Sequence, residues 1–367
     1  MSPQILIKAR KSENSIENYR GFVRRKIYLM IGLGCLLVML LVVSIAIGSY
    51  HMSLSKMIKV LLGLEQGPQG IVIWQIRMPR IFAAIVTGSS LGLSGLITQS
   101  LLRNSLASPF TLGISQGAAF GAAFSIVILG AGGMQGSALR TADANMFNIN
   151  SIYTITVFAF IGAITATSVI LALARFKSMS PESIILSGVA LSSLFTSGTI
   201  LVQYFATEVE IATVVFWTFG DVARSNWSEL GLLSLVTGLA LIYFIYHRWN
   251  LNAIAAGDEA ARGLGVEINR VRLVGMLLAA LIAALATAFH GVIAFLGLLA
   301  PHIGRRLASS DHGLSIPFSC LIGSVLLLLA DTLGRLLVGS GTLPVGVLTS
   351  FMGAPLFLYL LIRGLNR

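Results

Sequence analysis

Residues 250–272, NLNAIAAGDEAARGLGVEINRVR, form a polar and charged island in a chain that otherwise consists mostly of long apolar runs. Asp258, Glu259 and Arg262 lie close together in the middle of this island. The contrast between the island and the apolar runs decides the fold class, because long apolar runs are typical of membrane-spanning helices. A chain of this kind has few surfaces for a water-soluble partner, and we expect this island to be the main one.

The composition is that of an integral membrane protein. Of the 367 residues, 56% are hydrophobic and 11% are charged, and the mean hydropathy is +0.87. Soluble domains carry a charged fraction of roughly 25%. The formal net charge of +11 is interpreted as Lys and Arg that flank and orient membrane helices, and no nucleic-acid partner is expected.

Ten apolar runs are long enough to cross a bilayer. We predict spans at 27–47, 81–100, 111–130, 152–174, 183–206, 228–246, 271–289, 291–307, 315–334 and 344–362. The expected fold is all-α, with one transmembrane domain over 27–367 after a basic tail at 1–26. The first run is too long for a typical signal peptide, so we predict a retained span.

Lys and Arg residues predict the orientation of these spans. With the N-terminus inside, 18 of the 25 basic residues fall in inside segments and seven in outside segments. This asymmetry favours cytoplasmic locations for both termini and for the island at 250–272. Polar loop residues 131–151 are then expected outside.

Glycines recur at four-residue spacing in the second and third spans, at Gly88 and Gly92 and at Gly113, Gly117 and Gly121. Small residues at this spacing let helix backbones approach closely within a bilayer. The pattern predicts close helix packing and carries no functional information on its own.

The residue types that catalysis requires are scarce in this chain. It has 14 acidic residues and five histidines, and no Gly-Lys dipeptide that a phosphate-binding P-loop would need. We expect structural roles for His290 and His302, and we expect Cys35 and Cys320 to be small buried hydrophobic residues. The sequence therefore predicts no enzyme, no metal site and no cofactor, and places any ATP and Mg²⁺ on a partner subunit.

Charged residues near the predicted outer ends of spans are the strongest functional candidates. Asp331 and Arg335 are four residues apart, so they can pair on one helix face. Either they neutralise each other, or Arg335 presents its guanidinium to an acidic partner. Arg77 and Arg80 open the second span, where they suit an acidic docking protein or anionic ligand; the alternative is interfacial snorkelling.

Several motifs together resemble one family of membrane permeases. They are RMPRIFAAIVTGSSLGLSGLITQSLLRNSLASPFTLGISQGAAFGA (77–122), GDEAARGLGVEINRVR (257–272), AFLGLLAPHIGRRL (294–307), LLADTLGRLL (328–337) and LPVGVLTSFMGAPLFLYLL (343–361). This pattern is similar to the FecCD-type permease of ABC importers for iron–siderophore complexes, haem and cobalamin. The resemblance runs from about residue 70 to the C-terminus and leaves out 1–26 and 131–151.

The resemblance implies a type II ABC importer permease in a prokaryotic cytoplasmic membrane. Two such permeases, identical copies or paralogues, would enclose a central pathway. Two cytoplasmic ATPase subunits would bind below, and a periplasmic or lipid-anchored substrate-binding protein would dock above. The ATPases would supply the energy, and this chain would carry the substrate.

The resemblance also assigns roles to individual residues. The coupling contact with the ATPase would be made within about 250–270 by Asp258, Glu259, Ala260, Ala261, Arg262, Leu264 and Gly265. Docking of the binding protein would use Arg77, Arg80 and Arg335. The pathway candidates are Ser187, Ser192, Ser193, Thr196, Gln203, Thr349, Ser350 and Met352. A general importer pattern is Glu-Ala-Ala-x-x-x-Gly followed by a Leu-Pro step. Glu259 to Gly265 match its first half, but no Leu-Pro step follows near this island.

Two other classes of protein remain as alternatives. A secondary transporter or channel would place acidic or broken-helix ion sites near the bilayer midplane, whereas the acidic residues here lie mostly at span edges. A membrane enzyme would need a catalytic cluster. The substrate stays open among a siderophore complex, haem, cobalamin and an oxyanion.

Overall fold

The structure, a computed structural model, describes residues 3–48, 52–64, 67–131, 151–176, 180–338 and 343–365. All regular secondary structure in these ranges is helical, which confirms the all-α prediction. Helices suit apolar sequences of this length because they satisfy every backbone polar group within the segment.

The described residues contain fifteen α-helices. In chain order they are α1 (Pro3–Ala46), α2 (Leu54–Leu61), α3 (Pro68–Ile71), α4 (Met78–Leu101), α5 (Ile114–Val127), α6 (Ser151–Arg175), α7 (Pro181–Tyr204), α8 (Glu208–Thr218), α9 (Trp227–Tyr246), α10 (Arg248–Ala256), α11 (Asp258–Gly263), α12 (Ile268–His290), α13 (Leu296–Leu307), α14 (His312–Val338) and α15 (Val345–Leu365). A π-helical segment, Val72–Arg77, joins α3 to α4.

Each of the ten predicted runs overlaps one of these helices, although the helices differ in length. Within the described ranges, seven helices are long and apolar enough to cross a membrane, and Ile114–Val127 and Val345–Tyr359 are shorter apolar helices. The molecule is therefore a multi-pass membrane protein. The number of ten spans stays a prediction.

Predicted span 291–307 is the clearest difference in length. Its helix, α13, begins only at Leu296, and 12 residues reach about 18 Å, well short of a bilayer core of about 30 Å. Gly291 (φ 76°) ends α12, and Phe295 adopts a left-handed conformation (φ 64°). The chain is thus non-helical over 291–295.

Helix α4 lies at the centre of the bundle, with most of its residues buried. It packs against α14, α12 and α13. A Cβ atom added to Gly88 would lie closer than 3.0 Å to the backbone of Gly323, and one added to Gly92 would crowd the Ser319 carbonyl. The predicted close packing of these glycines is confirmed, with α14 as the partner of α4.

Helix α1 lies at the periphery and contains few buried residues. The tail predicted at 1–26 joins the first span in one helix, since α1 begins at Pro3. Because α1 is peripheral, the prediction that Cys35 is buried was wrong: Cys35 is exposed, whereas Cys320 is buried as expected. Almost all of the loop predicted at 131–151 lies outside the described residues.

Candidate functional site

The polar island folds into two short helices, α10 and α11, between the two long helices α9 and α12. Gly257 (φ 129°) separates α10 from α11, and Gly265 (φ 80°) follows α11. Both backbone conformations strongly favour glycine. Ala261 is fully buried, so it fixes one side of α11 against the bundle.

The other side of this segment is exposed and combines small, charged and apolar residues. Leu264 is 73% exposed, although burying a leucine is normally favourable by about 1.5–3 kcal/mol. Exposed Glu259, Ala260, Arg262 and Gly265 surround it in the chain. Burial of Leu264 by a second protein would therefore favour contact at this surface. We call residues 252–265, which include these exposed side chains, the coupling segment.

Asp258 attaches the coupling segment to the bundle. Its carboxylate accepts hydrogen bonds from Nη2 of Arg272 at 3.2 and 3.3 Å. Nε of the same arginine donates to the backbone oxygen of Leu101 at the end of α4, at 3.0 Å. Arg272 is only 1% exposed. Asp258, predicted to contact the ATPase, is therefore engaged within the chain.

Asn252 makes a second attachment on α10. Its Oδ1 accepts from the backbone N–H of His312 at 2.9 Å and lies 2.6 Å from that residue's Nδ1. Its Nδ2 donates to Asp311 Oδ1 at 2.6 Å. Nε2 of His312 lies 2.7 Å from Ser100 Oγ, also at the end of α4. The two attachments thus meet on adjacent residues of α4.

The three arginines predicted to dock a binding protein lie together at the opposite end of α4 and are buried. Arg80 Nε donates to Asp331 Oδ1 at 2.7 Å, and Nη2 of Arg335 lies 3.2 Å from the other carboxylate oxygen. The Asp331–Arg335 pairing predicted from sequence is confirmed, so the guanidinium of Arg335 faces its own chain. Arg77 is also buried, and its Nη1 donates to the backbone oxygen of Ile45.

Helix α1 covers this cluster of arginines. Nη1 of Arg335 donates to the backbone oxygens of Ser44 and Ile47, each at 2.9 Å, and Nη2 contacts the Ser44 hydroxyl. The carbonyl end of a helix attracts cations, so the end of α1 suits these arginines. Their role in docking stays a prediction.

Three of the five pathway candidates on α7 (Ser192, Ser193 and Thr196) line an open groove of about 570 Å³. Its polar lining comes largely from hydroxyl groups, those of Ser108, Thr111, Ser192, Ser193, Thr196 and Ser197. Ser187 and Gln203 lie on the same partly exposed helix outside this lining. Ser193 and Thr196 also donate to backbone oxygens four residues earlier in α7.

The candidates on α15 lie apart from that groove. Thr349 and Ser350 both donate to the backbone oxygen of Gly346. Thr349 is buried, whereas Ser350 and Met352 are partly exposed, and Ser350 lines a separate apolar groove of about 530 Å³ beside the non-helical residues Val292 and Ala294. The structure therefore does not bring the α7 and α15 candidates into one site within a single chain.

Sequence reasoning missed several polar contacts between helices. His290 is buried between Thr87 and Ser225, at 3.0 and 2.8 Å, so its expected structural role is confirmed. The roles of Arg272 and His312 were missed. A buried charge at the end of an apolar span is a recognisable signal, but Arg272 was counted only for its effect on orientation.

Taken together, the bundle of apolar helices, the exposed coupling segment and the hydroxyl-lined groove are the features of a membrane permease. Comparison with known proteins gives the family. The FecCD transport family model matches residues 36–363, and the chain belongs to that family.

Similar proteins match along nearly the whole chain. A Methanocaldococcus jannaschii protein described as an ABC transporter permease is 46% identical over 96% of this chain and 99% of its own length. The permease of the Fe(3+)-citrate import system of Bacillus subtilis is 35% identical, covering 92% of this chain and 96% of its own. A solved inward-facing metal-chelate type ABC transporter aligns with a TM-score of 0.77 and 30% identity over 92% of this chain and 99% of its own.

Proposed function

We propose that this chain is the membrane-spanning permease subunit of a binding-protein-dependent ABC importer. It carries an iron chelate (a siderophore complex or haem) or cobalamin across the cytoplasmic membrane. ATP hydrolysis on two partner subunits, with Mg²⁺ bound there, supplies the energy. Similarity to an Fe(3+)-citrate import permease and to a metal-chelate type transporter supports this substrate class.

The exposed coupling segment is the observation that carries the proposal. It presents Leu264 on a small-residue surface, while Asp258 and Asn252 tie the same segment to buried helices. A surface built this way can accept a soluble ATPase on one side and pass its movement to the bundle on the other. We place this end of the molecule in the cytoplasm, together with both termini.

A second permease chain completes the pathway in this proposal. Helix α7 carries hydroxyl groups and has few buried residues in a single chain. Ser193 and Thr196 donate to backbone oxygens within α7, but an open groove lined by hydroxyl groups suits a water-filled pathway better than lipid. Two permease chains, identical copies or paralogues, would face each other through α7 and α15. They would enclose the groove and bring the two sets of pathway candidates into one site.

Docking of a substrate-binding protein would occur at the opposite end, near Arg77, Arg80 and Arg335. In the present arrangement, backbone oxygens of Ser44, Ile45 and Ile47 accept hydrogen bonds from these arginines. Acidic groups of a binding protein could pair with the guanidinium groups only after the end of α1 moves aside. Docking is therefore expected to depend on the position of α1.

The coupling role is tested by Leu264→Glu. We expect the variant to bind the purified ATPase subunit at least about tenfold more weakly, since a charge replaces an apolar contact at a protein interface. Leu64→Glu is the matched control, because Leu64 is also 73% exposed but lies at the other end of the molecule. Binding is measured by titration of the ATPase onto detergent-solubilised permease.

The same preparation separates the proposed function from a secondary transporter. In proteoliposomes with the ATPase and binding protein, uptake of labelled chelate should require ATP. Uptake that follows an ion gradient without ATP, or an ATPase that binds the two leucine variants equally well, would contradict the proposal.

A further inference from the structure

We infer that α4 is the helix that receives the movement of the coupling segment, and that Asp258–Arg272 and Asn252–His312 are the positioning pairs that deliver it. This inference rests on the proposed function, since it assumes that an ATPase moves the segment. It assigns a transmission role to four side chains that do not themselves need to touch the ATPase.

The two pairs reach α4 by independent routes. Arg272 of α12 joins Asp258 to the backbone oxygen of Leu101. His312, the first residue of α14, joins Asn252 to the hydroxyl of Ser100. The two α4 residues are neighbours in the last turn of the helix, so both routes end at one place.

Burial makes these attachments stiff. Arg272 and His312 are 1% and 2% exposed, and hydrogen bonds are electrostatically stronger in the low-dielectric interior of a protein. The nearby Glu267–Arg270 ion pair has no buried partner. It is 3.7 Å long and both side chains are largely exposed, and such a pair contributes about 0–1 kcal/mol. We therefore expect the two pairs with a buried partner to transmit displacement with less slack than this exposed pair.

Helix α4 is well placed to carry the displacement through the bundle. Its glycines bring its backbone into direct contact with α14 and α13: Gly88 lies against Gly323, and Gly95 against Gly297. At its far end Arg80 is bonded to Asp331 of α14. A shift at Ser100 and Leu101 is therefore expected to move α4 together with the helices that pack against it.

The experiment compares five variants in the full transporter, reconstituted with its ATPase and binding protein in proteoliposomes. Asp258→Ala and Asn252→Ala each remove one attachment. Glu267→Gln and Asn269→Ala are matched controls, because both residues are exposed in the adjoining chain. Substrate uptake and ATP hydrolysis are measured together, along with ATPase binding and thermal stability.

We expect each attachment variant to bind the ATPase and hydrolyse ATP like the wild type. We expect the amount of substrate carried per ATP hydrolysed to fall at least about fivefold, which is the range typical of lost coupling between two sites. Asp258→Glu, which retains the carboxylate, should recover most of the ratio. The controls should keep the wild-type ratio.

Three results would overturn the inference. One is an unchanged ratio of uptake to hydrolysis in both attachment variants. Another is loss of ATPase binding, which would make these side chains part of the docking contact. The third is a fall in thermal stability that accounts for the loss of uptake. If instead the wild type shows no ATP-dependent uptake, it is the proposed function that fails.

Discussion

Asp331 is the residue on which the arginine cluster depends. It has no exposed surface and lies between Arg80 at 2.7 Å and Arg335 at 3.2 Å. One acidic group thus compensates two buried guanidinium groups. Removing one partner of a buried ion pair leaves an uncompensated charge, which is far more costly than losing an exposed pair.

We predict that Asp331→Asn lowers the free energy of unfolding by about 3–5 kcal/mol. The measurement is thermal or denaturant unfolding of the detergent-solubilised protein. Glu267→Gln, which breaks the exposed pair with Arg270, should change the stability by less than about 1 kcal/mol. Equal losses in the two variants would show that the cluster does not hold α1, α4 and α14 together.

Sequence spacing predicts only part of this cluster. Asp331 and Arg335 are one helical turn apart, so their pairing can be read from the chain. Arg80 lies 251 positions away from Asp331, and no local pattern predicts that contact. The burial of the three arginines was not foreseen either, because it depends on how the end of α1 packs over them.

At the scale of whole helices, the contact between α4 and α14 depends on glycine. A Cβ atom on Gly88 would lie closer than 3.0 Å to the backbone of Gly323, whereas one on Gly238 of α9 would meet nothing within 4 Å. In a membrane, close packing of this kind holds helices together because the apolar driving force between them is absent.

We therefore predict opposite effects for two identical substitutions. Gly88→Ala should destabilise the protein, since the α4 and α14 backbones must separate to admit the methyl group. Gly238→Ala should be neutral or stabilising by up to about 1 kcal/mol, because alanine is the better helix former. Thermal unfolding of both variants in the same detergent compares them, and a Gly88→Ala protein as stable as the Gly238→Ala protein would refute the packing argument.

Helices with a strong apolar signal were predictable, and the exceptions have physical causes. The glycine spacing predicted close packing, but it could not name α14 as the partner. Helix α13 was predicted too long because its apolar composition continues through 291–295, where positive φ angles at Gly291 and Phe295 break the helix. Helix α8 was missed although Thr207 and Glu210 form the capping box that marks its start.

For the molecule as a whole, the uneven burial of its helices is informative. Helix α4 is surrounded by other helices, whereas α7 is largely uncovered and lines a groove with hydroxyl groups. Helix α9 is also partly uncovered, but apolar residues such as Leu235 dominate its exposed surface. Helix α7 exposes apolar residues such as Leu194 as well, but its hydroxyl groups line the groove, so we expect that side of α7 to contact water.

Accessibility to a water-soluble thiol reagent tests this difference. In a background with Cys35 and Cys320 replaced by Ala, we predict that a membrane-impermeant maleimide labels Thr196→Cys and leaves Leu235→Cys unmodified. The reason is that only a thiol in contact with water forms the reactive thiolate. The assay is performed on the protein in vesicles and read by mass shift.

The same pair of variants shows whether the groove belongs to the transport pathway. If it does, labelling of Thr196→Cys should change when the ATPase is trapped with a non-hydrolysable ATP analogue, because access to a transport pathway alternates between the two sides of the membrane. Labelling of Leu235→Cys should stay low in both states. If Thr196→Cys is labelled as little as Leu235→Cys, α7 lies against lipid. Its hydroxyl groups then serve only the backbone oxygens to which Ser193 and Thr196 already donate.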